Sequence, residues 1–182
     1  MFAGHFGVAA AVKSKAQHLP LWSLFVSSQL LDIVFFALFF MGVEGFGTPI
    51  VGGRGTVIHA EFSHSLIGAL LLSLLAYAFT GHFWGKEKGT VIGLVTFSHW
   101  ILDLLVHMPD LPIFPGNFGD LPLLGFGLWR FSIASLLIEG LLIIIGAILY
   151  LRFTVKSSNT KKFSLNGMIV VIFLMMSFIF GI

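Results

Sequence analysis

Ionisable side chains nearly avoid five long stretches of this chain, and that avoidance constrains the fold. The stretches run from about Leu21 to Met41, His64 to Thr80, Thr90 to His107, Ser132 to Leu151 and Gly167 to Ile182. Each is near the ~20 residues an α-helix needs to cross ~30 Å of hydrocarbon, the second and third being the shortest. Only 10% of the residues are charged, and mean hydropathy is +1.01. A soluble domain carries about 25% charge, so lipid must cover much of this surface. The expected fold is all-α, a polytopic transmembrane helical bundle of about five spans in one integral membrane domain over residues 1–182. Residues 2–12 are apolar but too few to cross. With their flank they read as an N-terminal half-helix over 2–16, dipping in from one face or lying in the interface.

Other classes are excluded by what is missing. There is no cysteine, which removes disulfides, thiolate metal ligands and cysteine nucleophiles. A formal net charge of +2, without any run of five like charges, argues against nucleic acid. The first lysines follow the N-terminal apolar stretch, the reverse of a cleavable signal peptide, so the whole chain is read as mature.

Lysine and arginine set the expected orientation. Lys13, Lys15, Lys86, Lys88, Arg152, Lys156, Lys161 and Lys162 fall on one side, and only Arg54 and Arg130 on the other. By the positive-inside rule this places the N-terminus inside a cytoplasmic (inner) cell membrane and the C-terminus outside. The two longest loops, about 42–63 and 108–131, then face out, rich in Gly, Pro and aromatics, as if to cover something. Trp22, Trp84 and Trp129 suit interfacial belts.

Within the spans lie Asp32, His99, Asp103 and Glu139, with His64 opening the second stretch and His107 ending the third. Each such group costs about 2.5–3.5 kcal/mol on insertion scales, so each needs a reason. At 1.5 Å per residue from the outer span ends, Asp103 lies ~6 Å deep, Glu139 ~10 Å, His99 ~12 Å and Asp32 ~14 Å. Spans running in opposite directions thus put their polar residues in the same half. His99, Asp103 and His107 recur every fourth residue, setting one carboxylate between two imidazoles on a helix face. Zinc and similar divalent metals favour such mixed nitrogen and oxygen donors. Upstream, His59-Ala-Glu-Phe-Ser-His64 adds two imidazoles and Glu61, with His59 in the loop and Ser63 as helix cap. A single intramembrane histidine is more often an interhelical hydrogen bonder than a ligand, and Asp32 alone has Gln29, Ser28 or a histidine as partners. The shared depth of the group is what favours a metal site. His18 and His82, near lysines, are given no role.

Three blocks resemble the membrane-bound metal-dependent hydrolases of bacteria and archaea, which are distantly similar to the zinc-dependent phospholipase C group. They are Gly4-His5-Phe6-Gly7 followed by Pro20-Leu21 and Ser28-Gln29-Leu30-Leu31-Asp32; His59-Ala60-Glu61-Phe62-Ser63-His64-Ser65; and Ser98-His99-Trp100-Ile101-Leu102-Asp103. The last is the most specific, and together they cover roughly the first 110 residues. The resemblance implies His5, Asp32, His64, His99 and Asp103 as metal ligands, with His59 a further candidate. The later His-x-x-x-Glu/Asp pair of the phospholipase C group has no counterpart, since no histidine follows residue 110.

The expectation is therefore a metal-dependent hydrolase holding one or two divalent ions, zinc foremost, and cutting a lipid-like phosphate ester at the outer membrane face. Glu61 is the candidate base or supporting group, Arg130 the candidate phosphate clamp, and His107 and Glu139 candidates for the shell around the ligands. The same cluster also fits a proton or metal-ion transporter, and a structural membrane subunit is the third possibility.

Overall fold

The computed structural model describes residues 2–53, 55–157 and 161–180, without the side chains of 157, 161–166 and 180. Arg54, the side chains of Lys161 and Lys162, and the last two residues of the fifth stretch lie outside the described residues. The chain forms α1 (Phe2–Lys13), α2 (Leu21–Ser28), α3 (Leu30–Phe40), β1 (Gly45–Pro49), β2 (Thr56–His59), α4 (Leu66–Trp84), α5 (Lys86–Val106), α6 (Ser132–Ser157) and α7 (Lys161–Phe180). It is an all-α bundle with one small hairpin. Three helices are long and apolar enough to cross a membrane: α4, α5 and Ser132–Lys156 of α6. The pair α2 and α3 makes a fourth when taken as one bent span. The described apolar part of α7, Gly167–Ile179, is shorter than a span.

The first apolar stretch is thus not one straight helix, as its composition suggested. Its halves meet at Gln29 with a bend of 52°. The cause is local. Ser23, Ser27 and Ser28 donate their hydroxyls to the carbonyls of Pro20, Leu24 and Phe25. Such back-bonding competes with the helical ladder and bends helices. Gln29 leaves helical geometry (φ −111°, ψ 8°) and its Nε2 donates to the Phe2 carbonyl at 3.1 Å. The break is thereby tied to the start of α1.

The second and third stretches are longer helices than their apolar cores implied. Gly85 alone joins them, at φ 96°, a left-handed value that glycine adopts without a Cβ clash. Helices α4 and α5 then close tightly. A Cβ on Gly89 would meet the Tyr77 carbonyl oxygen at 2.6 Å. Helices α1 and α6 approach the same way, since a Cβ on Gly146 would lie 2.2 Å from the Gly7 carbonyl oxygen. Where lipid is as apolar as leucine, close packing of small residues carries helix association. Buried through Ala3, Gly4, His5, Gly7, Ala9 and Ala10, α1 packs against α2, α5, α6 and α7. It ends at Lys13 rather than 16, where the Lys13 ammonium donates to the carbonyls of Gln17 and Leu19.

The two ends of the bundle differ. At one, Trp22 packs edge-on against Trp84 at 5.9 Å, and Lys13 lies over the Phe153 ring. At the other sit both long loops. The first contains the antiparallel β1–β2 hairpin, paired Gly45 to His59 and Phe46 to Ile58. The second loop holds it in place through Asp110, whose Oδ2 accepts the Ile58 amide at 3.1 Å, and also ties the start of α4, the Pro112 carbonyl accepting the Leu66 amide at 3.0 Å.

Candidate metal centre

Four elements bring the polar residues of the spans to the loop end. Helix α5 supplies His99 and Asp103, with His107 capping its end; α3 supplies Asp32, α1 supplies His5, and His64 precedes α4. Their ligand atoms converge. Nε2 of His64 and Nε2 of His99 are 3.3 Å apart, and each is 3.5 Å from Asp32 Oδ1. Two donors held ~2.0–2.1 Å from a tetrahedral zinc stand about 3.4 Å apart. The triangle of Asp32, His64 and His99 therefore has the edges of one face of such a site.

Asp103 closes the group from the other side. Its Oδ2 lies 3.1 Å from His99 Nε2, 3.5 Å from His64 Nε2 and 3.7 Å from His107 Nε2, while Oδ1 lies 3.2 Å from His5 Nε2. His5, His99 and Asp103 form a second triad of ligating distance. His99 Nε2 belongs to both triads but has one lone pair, so in this arrangement the two cannot each hold a separate ion. The His5 ring stacks on that of His99 at 3.7 Å between centroids. The residue is buried, and among the described residues its polar contact is the one from Nε2 to Asp103, so its ring belongs to the cluster.

The remaining nitrogen of three rings is held by oxygen. His99 Nδ1 is 2.7 Å from the Ser28 carbonyl, which sits at the helix break. A carbonyl only accepts, so Nδ1 carries a proton, and in the neutral ring Nε2 then presents its lone pair. His107 Nδ1 is 2.9 Å from Asp110 Oδ1. His64 Nδ1 is 2.8 Å from Ser63 Oγ, and its carbonyl accepts the Trp100 indole N–H at 2.8 Å. Such outer partners are what orient and fix ligating histidines. Asp32 is the member that reaches the surface. Its side chain is 24% exposed, against 4% or less for the other five.

Other expected residues fall elsewhere. His59 is exposed on β2, across from Gly45 and against Gly47, outside both ligating groups. Glu61 is exposed, and its carbonyl accepts the Gly116 amide. Arg130 is exposed at the end of the turn Leu128–Arg130. Among the described residues neither Glu61 nor Arg130 makes a side-chain hydrogen bond or ion pair with the cluster. Glu139 is buried, but it serves α1: its Oε1 accepts the amides of Ala3 and Gly4 at 2.9 and 3.3 Å. Those are first-turn amides that a helix leaves open, and a carboxylate there also suits the helix dipole. Glu139 thus supports His5 through its helix. The cap of α4 is Ser65, whose Oγ accepts the Gly68 amide, and not Ser63.

Four contributors went unrecognised in the sequence. Asp110 follows His107 by three residues, a spacing that could have flagged it. Glu44, beneath Ser63, lies in a glycine-rich loop with no local signal. The Ser28 carbonyl depends on a break, and Trp129, whose ring lies 4.4 Å from that of His107, resembles any interfacial aromatic.

No family model, no curated protein and no solved structure matches this chain. The chain is a helical bundle with long apolar helices and a buried His/Asp cluster able to hold a metal ion.

Proposed function

We propose that this chain is a membrane-embedded metal-dependent hydrolase acting on a phosphate ester of a lipid. The observation that carries the reading is the triangle of Asp32, His64 and His99, with both histidine Nε2 atoms aimed inward and both Nδ1 atoms held. Asp32, His64, His99 and Asp103 are the residues that would hold the ion, with His5 and His107 beside them. A divalent ion there, zinc by its donors, would supply Lewis acidity and an activated water for ester hydrolysis.

The protein's own part is positional. Asp32 faces the accessible side of the centre, so an ester meets the site there. The 108–131 loop closes on the buried side at His107, where the Trp129 ring lies 4.4 Å from the imidazole. A substrate anchored in lipid explains why hydrolytic groups stand inside a helical bundle. Glu61 and Arg130 carry no catalytic role in this reading, because both are exposed and, among the described residues, neither side chain bonds to the cluster. The membrane is taken as the cytoplasmic (inner) one, with the N-terminus inside and the loop end outside, on the lysine and arginine bias.

Phosphate release from lipid phosphate esters by the detergent-solubilised protein tests this reading. Release should need the metal, stop on chelation and return on zinc. Proton or ion flux in sealed vesicles, with no release at any metal concentration, would support the transport alternative instead.

A further inference from the structure

We propose that Glu44, on the first loop, is a positioning residue that sets which nitrogen of His64 is free to bind metal. This rests on the metal reading above. Glu44 is buried, and its carboxylate accepts three hydrogen bonds: Oε1 from the amides of Phe62 and Ser63 at 2.7 and 2.8 Å, and Oε2 from Ser63 Oγ at 2.7 Å. Ser63 Oγ is also 2.8 Å from His64 Nδ1.

The direction of each bond follows from the chain's end. An ionised carboxylate only accepts, so the Ser63 hydroxyl hydrogen points to Glu44. The face of Ser63 Oγ toward His64 is then a lone pair, and His64 Nδ1 must donate to it. The imidazole proton is held on Nδ1, and Nε2 turns its lone pair toward Asp32 and His99. The relay Glu44–Ser63–His64 thus does for His64 what the Ser28 carbonyl does for His99.

Glu44→Gln keeps the shape and reverses the relay. The two backbone amides keep the side-chain oxygen as their acceptor, which leaves the amide nitrogen facing Ser63 Oγ as a donor. The acceptor then left for the Ser63 hydroxyl hydrogen is His64 Nδ1. The ring proton moves to Nε2, where it blocks ligation. Removing the hydroxyl as well, in Glu44→Gln/Ser63→Ala, takes away the donor that enforces the wrong tautomer.

The test is zinc affinity by chelator competition in detergent, with ¹⁵N NMR of the histidine rings as the second readout. Glu44→Gln should weaken zinc about 10–100-fold, the range for outer-shell partners of a metal ligand. The double variant should bind more tightly than Glu44→Gln alone, at the level of Ser63→Ala. A purely structural Glu44 predicts losses that add, and so does a misfolded variant; either additive losses or unchanged affinity in Glu44→Gln overturns the proposal. If the wild type binds no zinc, the metal reading fails separately, and the spectra still decide the relay. His64 protonated on Nδ1 in the wild type and on Nε2 in Glu44→Gln supports it, and the same tautomer in both overturns it.

Discussion

His64 and His99 turn their Nε2 atoms toward each other at 3.3 Å, while an oxygen holds the other nitrogen of each ring. Two lone pairs so placed in a buried site, with Asp32 and Asp103 alongside, repel unless a cation lies among them. That cation is a metal ion or a proton, and the two make different predictions. With a proton, Asp103→Asn should remove the charge partner of an imidazolium and abolish any proton flux. With a metal, the same variant should lose bound zinc and phosphate release while the protein still inserts.

Glu139 holds α1 by its first amides, so Glu139→Ala should loosen that helix. Leaving two buried amides without this acceptor costs about 1–3 kcal/mol for each unsatisfied group. The melting temperature in detergent should fall, and zinc affinity should fall with it, because His5 rides on α1. Glu139→Gln retains an acceptor and should lose less of both.

Gly146 permits the contact between α6 and α1. Gly146→Ala puts a methyl group where only 2.2 Å separates it from backbone, so the helices must move apart. Overpacking of this kind destabilises by about 1–3 kcal/mol. The thermal unfolding of Gly146→Ala should show it, whereas Gly140→Ala, where the nearest atom is a Phe178 ring carbon at 3.5 Å, should be mild.

The helix break predicts a role for a side chain outside the cluster. Gln29→Leu removes the bond from Gln29 to the Phe2 carbonyl and favours a straight α2–α3. The Ser28 carbonyl would then return to the helical ladder and leave His99 Nδ1 unheld. Zinc should bind about 10-fold more weakly or worse, by the same outer-partner logic. Unchanged affinity would mean that the break does not hold His99.

Orientation is testable by fusion. Reporters placed after Lys88 should read cytoplasmic and one after Gly52 external, following the lysine and arginine bias. An external signal after Lys88 would invert the bundle and turn the hairpin end to the cytoplasm.

How far the chain could be read in advance depended on the range of the interactions. Apolar length named the helices, because lipid forces each backbone group to bond within its own segment. The spacing of His99, Asp103 and His107 placed them together, because helical periodicity is local. Asp32 joined them on estimated depth and on the resemblance carried by its block. His59 was misplaced because a six-residue sequence block says nothing of a hairpin: β2 carries His59 away, whereas His64 stands at the start of α4. Glu61 and Glu44 show the limit best. Glu61 lay inside the recognised block and is exposed; Glu44 lay outside any block and reaches Ser63 only once the first loop folds back. The bend at Gln29 was hidden because three serines look harmless in an apolar run, although their back-bonds interrupt the ladder.

Metal content decides the central point. The wild-type protein, purified without chelator and supplied with zinc, should carry close to a stoichiometric ion by elemental analysis. His99→Ala should carry almost none while eluting and melting as a folded protein in detergent. A metal-free wild type, or full occupancy in His99→Ala, would contradict a metal centre built on His99.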